Sequence, residues 1–276
     1  MSTSRERRLA AFVLISLALA ALTAKVAAQQ GAARPDFSSN QTAWIAFGND
    51  FIAPASGPRP VTYDPARPFV QNNSGEQPTF RIADLSNPNL KPWAKEKMKK
   101  ANDEVLAGEI ALTARSSCRP GGVPGFMLFV QNPVFMIQTA KQVHMIYSGN
   151  QEVRRIYLNV PHSANPKPSW YGESVGHYEG ATLVVDTIGV NTKTLVDNYR
   201  TPHTDKLHVM ERWRLINDGK NLEVNIKVAD PDTFYEPWSA IQRYRRVQQD
   251  YSEQVCAENN THFYDYKIPQ ASKPDF

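Results

Sequence analysis

The sequence predicts an all-β fold with one N-terminal helix and an extended N-terminal arm. The strands should form a mostly antiparallel β-barrel or a strongly curved sandwich, lipocalin-like in outline. From residue 126 onward apolar residues recur with a period of two, the period of a half-buried strand. Turn signals separate the short segments at hairpin spacing. Because no helical crossover interrupts them, such strands must close on themselves or pack as two sheets.

The first 28 residues are expected to be a secretory signal peptide. Arg5, Arg7 and Arg8 form a basic start, and the apolar segment Leu9–Leu22 follows. Small residues then end the segment at Ala28. The apolar run is shorter than the roughly 20 residues that span a bilayer. We therefore expect cleavage near Ala28 and a secreted or periplasmic protein without a transmembrane segment.

Net charge argues against nucleic acid as a partner. The chain carries 31 basic and 27 acidic residues, with a formal net charge of +4. Four of the basic residues and one of the acidic residues lie in residues 1–28, so the rest of the chain is nearly neutral. Neither a nucleic acid nor an anionic membrane surface is expected to bind, which leaves a small molecule as the expected ligand class. The sequence predicts no oligomeric state.

Residues 29–90 are predicted to be an extended arm. The segment is rich in Pro, Ser, Asn and Gly and shows little periodicity. Trp44, Ile45 and Phe51 are the bulky residues expected to hold parts of it against the domain.

Residues 91–276 are predicted to form one β-rich domain that is preceded by a short helix. The helix, Pro92–Leu106, begins with proline and is followed by Gly108, the asymmetry expected at helix ends. The predicted strands are FMLFV (126–130), VHMIY (143–147), RRIYLN (154–159), the two arms of SVGHYEGATLVVDT (174–187), LHVMERWRL (207–215), LEVNIKV (222–228) and WSAIQRYRRV (238–247).

Two cysteines, Cys118 and Cys256, are expected to form a disulfide bond. An exported chain enters an oxidising compartment, where a pair of cysteines bonds by default. Two free thiols are the alternative.

The predicted hairpin at 174–187 places acidic and imidazole groups together. With Glu179 and Gly180 as the two turn residues, Glu173 lies opposite Asp186, and both share a face with His177. Two carboxylates and an imidazole are the groups that acid–base catalysis requires.

The segment TPHTDKLHVMERW (201–213) supplies the remaining candidate catalytic groups. Strand alternation places His208, Met210 and Arg212 on one face, which we expect to line a cavity of mixed polarity. An exposed strand whose Arg and Glu side chains pair with neighbouring strands is the alternative. His208 should point into the domain, and His203 should lie at the rim. The predicted catalytic residues are His208, His203, Asp186, Glu211, Arg212 and His177.

A proline-rich loop, NVPHSANPKPSWYGES (159–174), is predicted to cover the cavity as a lid. A packed surface loop is the alternative. The predicted substrate-binding residues are Trp170, Tyr171, His162, Trp213 and Met210.

No metal or organic cofactor is expected. His203 and His208 are spaced as HxxxxH at the entry to a strand, whereas zinc enzymes with HExxH carry both histidines on a helix. A zinc site completed by His162 or His177 is the alternative.

Three segments, WYGESVGHYEGATLVVDTIGVN, PHTDKLHVMERW and DPDTFYEPW, resemble a family of secreted bacterial proteins. The family motifs read W-Y-G-x-S-V-G-x-W-E-G-x-T-L-V-V-D-T and P-H-S-x-x-L-H-V-x-E-R. Here Tyr178 replaces the usual Trp and Thr204 the usual Ser. The likeness covers roughly residues 91–259. It implies an exported bacterial protein and implies no activity.

Two functions fit these predictions. The first is an exported, cofactor-independent enzyme that uses histidine and carboxylate groups on a hydrophobic or aromatic compound, as a lyase, an isomerase or a hydrolase. The second is a non-catalytic ligand-binding or envelope-associated protein that uses the same cavity.

Overall fold

Nine β-strands form a closed barrel in the computed structural model, which describes residues 34–38, 41–67, 81–109, 118–129, 133–149 and 152–252. The strands are β1 (Thr42–Ala46), β2 (Val134–Gln138), β3 (Gln142–Tyr147), β4 (Glu152–Leu158), β5 (Glu173–Glu179), β6 (Thr182–Ile188), β7 (His208–Ile216), β8 (Asn221–Ala229) and β9 (Trp238–Gln248). Each strand pairs with the next one in sequence, and β1 closes the barrel against β9. All pairs are antiparallel except β4 with β5. The prediction allowed either a barrel or a curved sandwich, and the barrel is confirmed.

Strand β1 comes from the segment predicted to be an extended arm. Its Trp44 is fully buried, and the indole Nε1 donates a hydrogen bond to the Phe37 carbonyl at 3.0 Å. Phe51 is buried as well, and it packs against Trp238 with ring centroids 5.8 Å apart. The predicted arm therefore contributes one strand of the barrel, and its loop-like composition gave no indication of that strand.

Residues Gly125–Leu128, which we call the plug, form a 3₁₀ helix that contacts inward side chains of the barrel, although a strand was predicted at 126–130. All four residues are buried. The Met127 carbonyl accepts hydrogen bonds from Gln242 Nε2 at 3.1 Å and from the Tyr244 hydroxyl at 3.3 Å. Both donors alternate with exposed residues along β9 and so point inward. The prediction was wrong because an apolar run buried on all sides looks the same in a strand and in a plug.

The predicted helix is confirmed as α1, Pro92–Leu106. It packs outside the barrel with Ala94, Met98, Asn102 and Val105 buried. The Asn102 side-chain amide exchanges two hydrogen bonds with the Ala83 backbone, at 2.9 and 3.0 Å. These bonds attach the helix to the segment that precedes it.

The β5–β6 hairpin turns one residue later than predicted. Glu179 pairs with Thr182, so the turn residues are Gly180 and Ala181. Glu173 consequently lies opposite Ile188 and not opposite Asp186. Moving a two-residue turn by one position shifts each partner by two, which keeps every side chain on its face. The predicted common face for Glu173, His177 and Asp186 is therefore correct despite the register error.

Some predictions fall on residues that the structure does not describe. The signal peptide at residues 1–28 lies outside the described ranges, as does Cys256. Cys118 lies inside them, and no cysteine there is a free thiol. The bond between the two cysteines stays a prediction. In the described ranges, no helix is long and apolar enough to cross a membrane.

Candidate active site

A buried ion pair crosses the barrel interior. Arg154 on β4 and Glu211 on β7 are 1% and 0% exposed, and two hydrogen bonds of 3.0 and 2.6 Å join them. The same guanidinium donates to Ser174 on β5 and to Thr187 on β6, at 3.1 and 2.9 Å. Its carbon lies 5.1 Å from the ring centre of Phe126 in the plug. The buried guanidinium thus has a carboxylate, two hydroxyl groups and an aromatic ring as partners, which offsets the cost of burying its charge.

The outer surface of the same strands carries a chain of charged side chains that we call the carboxylate–imidazole cluster: Glu173, His162, Asp186 and His208. His162 contacts Glu173 Oε1 through Nδ1 at 2.9 Å and Asp186 Oδ1 through Nε2 at 3.0 Å. Asp186 Oδ1 also faces His208 Nε2 at 2.8 Å. One carboxylate oxygen thus joins two imidazoles.

The inner ion pair and the outer cluster lie back to back. Ser174 points inward beside the outward Glu173, and Thr187 points inward beside the outward Asp186. Because successive side chains of a strand point to opposite faces, a fixed inner residue also fixes its outer neighbour. The Arg154 hydrogen bonds therefore hold the two strand positions that carry the site carboxylates.

Hydrogen bonds shift the titration of the cluster. Burial alone would raise the pKa of Asp186, but hydrogen bonds from His208 and His162 outweigh it and hold the pKa below its ordinary value. The hydrogen bond to Asp186 raises the pKa of His208, against the opposing effects of partial burial and of Lys227. The Ser163 hydroxyl and backbone N–H donate to Glu173, at 2.6 and 2.7 Å, and the hydroxyl bond lowers the pKa of that carboxyl.

This arrangement can move protons at the protein surface. The His208 side chain is 40% exposed. In the described part of the chain no group bonds its second ring nitrogen, Nδ1. A neutral His208 that donates its Nε2–H to Asp186 would present Nδ1 as a base, and Asp186 would stabilise the imidazolium that forms. Both ring nitrogens of His162 face carboxylates, so this imidazole is held from two sides.

Stability should depend on pH through His208. A raised histidine pKa adds stability below its unfolded value of 6.5, and that contribution is lost as pH rises through the folded pKa. A lowered aspartate pKa adds stability above 3.8, and that contribution is lost at acid pH. We expect the stability difference between wild type and His208→Gln to be larger at about pH 6 than at about pH 9, as measured by urea unfolding. An equal difference at both values would contradict the ion pair.

The predicted orientations of His203 and His208 are wrong. His208 lies on the outer face of the barrel, whereas His203 is only 3% exposed. His203 Nδ1 contacts the Thr204 carbonyl at 2.8 Å, and Nε2 contacts the Thr194 hydroxyl at 2.7 Å. Burial lowers the pKa of His203. Both nitrogens are satisfied by uncharged neighbours, so this histidine belongs to the packing of the loop before β7.

Glu211 and Trp213 do not join His208. Both point into the barrel, where Glu211 binds Arg154 and Trp213 stacks on Tyr244 with ring centroids 5.8 Å apart. The face of β7 that carries His208, Met210 and Arg212 is the outer one, so the predicted cavity wall is an exposed surface.

The predicted lid aromatics lie apart from the cluster. Tyr171 packs its ring edge-on against Phe126, at 5.9 Å between centroids, and its hydroxyl contacts Glu152. Burial raises the pKa of Tyr171 well above its ordinary value. The Trp170 ring lies 5.8 Å from the Arg119 guanidinium. His162 from the same loop does reach the cluster, so the loop contributes an imidazole and not an aromatic cover.

His177 and Arg212 form a separate surface group. Both contact Glu179, His177 at 3.1 Å and Arg212 at 2.7 Å, and all three side chains are about half exposed. They are on the same face as the cluster, and both pair with Val184, which lies two residues beyond Asp186 toward the β5–β6 turn.

Two members of this surface were absent from the predicted site. Glu173 was placed on the right face, but its contact with His162 depends on the path of a 14-residue connection between β4 and β5. Ser163 follows His162 directly and had no pattern of its own. Arg154 could have been recognised as inward, because it alternates with the apolar Ile156 and Leu158.

Among the residues that the structure describes, no group of three or more His, Cys, Asp or Glu side chains is arranged to hold a metal ion. No protein-family model matches the chain, and no curated protein matches it.

Proposed function

We propose that this protein is an exported enzyme that uses the carboxylate–imidazole cluster for acid–base chemistry on a small molecule. The observation that carries the proposal is the contact of one Asp186 oxygen with both His208 and His162, at 2.8 and 3.0 Å. A histidine held by a carboxylate, with its other nitrogen available, is the unit that transfers protons in many hydrolases, lyases and isomerases. The export signal and the Cys118–Cys256 bond belong to the same proposal.

Each residue of the cluster has a defined part in the proposed reaction. Neutral His208 takes a proton from the substrate at Nδ1, and Asp186 accepts the hydrogen bond from Nε2 and stabilises the resulting charge. His162 fixes Asp186 from the other side, and Glu173 fixes His162. The inner bonds of Arg154 to Ser174 and Thr187 support the backbone on which this geometry rests. No cofactor takes part in this scheme.

A non-catalytic binding protein is the second candidate. One observation favours it: Glu173, His162 and Asp186 already bond one another, with His162 bonded at both nitrogens. Such a network can serve as a rigid surface that binds a ligand without chemistry. In this case too the proposed ligand surface is the outer face that carries the cluster.

Two probe reactions test the proposal. The purified protein should catalyse one of two reactions. The first is exchange of the methylene protons of phenylpyruvate, which adjoin its ketone, in D₂O and followed by NMR. The second is hydrolysis of p-nitrophenyl acetate, followed by absorbance. Because only neutral His208 can act as a base, kcat should rise as pH passes through the raised pKa of this histidine. Acceleration of neither probe would favour the binding protein over the enzyme.

A further inference from the structure

On the outer face of the barrel, Met210 is surrounded by four polar side chains, which together with Met210 we call the cross: Asp186, Lys227, His208 and Arg212. Met210 lies on β7, where it pairs with Asp186 of β6 on one side and with Lys227 of β8 on the other. His208 and Arg212 are its next neighbours on the same face of β7. Directly opposite side chains have Cβ atoms about 4.5–5.5 Å apart, so a small molecule over Met210 reaches all four neighbours.

The centre of the cross is apolar and accessible. Met210 is 40% exposed. A thioether side chain is flexible and polarisable, and it adapts to aromatic or aliphatic groups laid against it. In this charged surface Met210 offers contact area for the apolar part of a ligand.

Of the charged side chains around Met210, Asp186 and Arg212 form ion pairs with described residues and Lys227 does not. Arg212 binds Glu179 at 2.7 Å, and Asp186 is engaged by His208 and His162. Lys227 is exposed, and it forms no ion pair within the described ranges. Lys227 is therefore a cation without a counter-charge among the described residues, and it lies on the side of Met210 opposite Asp186.

We propose that the site takes a small carboxylate that bears an apolar group, with Lys227 holding the carboxylate and Met210 contacting the apolar part. This inference rests on the proposed function, because it names the substrate class of the same cluster. A carboxylate supplies the counter-charge that Lys227 lacks. Because His208 is the next residue on the same face of β7 as Met210, an apolar group that contacts Met210 lies beside the proposed base.

Binding can be measured without turnover. The probes are benzoate and its neutral counterpart benzamide, and the readout is the ε-methyl NMR signal of Met210. We expect benzoate to shift this signal with an affinity about three- to fivefold higher than that of benzamide, the size of one exposed ion pair. Lys227→Gln should bring benzoate to the level of benzamide. Lys220→Gln, an exposed lysine at the β7–β8 turn, is the matched control and should leave the preference unchanged.

The outcomes separate this inference from the proposed function. A benzoate preference that depends on Lys227 supports the inference even if no probe reaction is catalysed, in which case the binding protein takes a carboxylate. Equal affinity for both probes, a preference that survives Lys227→Gln, or no shift of Met210 overturns it. Turnover of neutral probes alone would leave the enzyme proposal standing and also overturn the carboxylate specificity.

Discussion

Replacing Glu211 with alanine is expected to lower the free energy of unfolding by about 3–5 kcal/mol. The carboxylate is fully buried and forms both of its hydrogen bonds with Arg154, which is itself 1% exposed. Removing the carboxylate leaves the buried guanidinium of Arg154 without its ion-pair partner. The measurement is urea unfolding of the purified protein near neutral pH, followed by tryptophan fluorescence.

Two further variants isolate the cause. Glu179→Ala removes a carboxylate that also binds an arginine, but both partners are 49% exposed, so the expected cost is only about 0–1 kcal/mol. The double replacement Arg154→Met with Glu211→Leu removes both charges and should recover most of the stability lost in Glu211→Ala. If Glu211→Ala were no less stable than Glu179→Ala, the interior ion pair would be refuted.

The barrel could be predicted because most of its strands show a local alternation of apolar and polar residues. In β8, Leu222, Val224, Ile226 and Val228 alternate with polar residues, and the turn that precedes the strand carries Asp218-Gly219, an ordinary hairpin signal. Strand β1 could not be found in this way. Its five residues sit in a proline-rich segment, and its place is set by pairing with β9 about 200 residues later in the chain, which local pattern does not encode.

The candidate site was predicted in part, for a similar reason. Asp186 and His208 were both candidate catalytic residues, and in the structure they lie on adjacent strands and contact each other at 2.8 Å. The direction of that face was wrong because each face of β7 mixes charged and apolar residues, so alternation gives two faces without saying which is inside. The inward face is the one with Glu211, and its partner Arg154 lies 57 residues away in the sequence. Long-range pairing of charges decides the question, and a single sequence does not show it.

Replacing His208 with glutamine is expected to lower kcat for whichever probe reaction the protein catalyses by roughly 10²–10⁴-fold, the usual contribution of a general base. Glutamine retains a hydrogen-bond donor for Asp186 but has no nitrogen that can take a proton. KM should change little, because the ring contributes to proton transfer more than to binding. His144→Gln is the matched control: His144 lies on the outer face of β3 and contacts Gln142 at 2.7 Å, away from the cluster.

The Asp186→Asn variant decides whether the cluster transfers protons or is only a surface ion network. An asparagine oxygen can still accept a hydrogen bond from His208, but it no longer stabilises an imidazolium by charge. If His208 is the base, loss of that charge lowers its pKa, and the pH dependence of kcat moves to lower pH while the maximal rate falls. A purely structural network predicts the opposite pattern: Asp186→Asn and His208→Gln would unfold at lower urea concentration, yet each would keep the wild-type kcat and its pH profile.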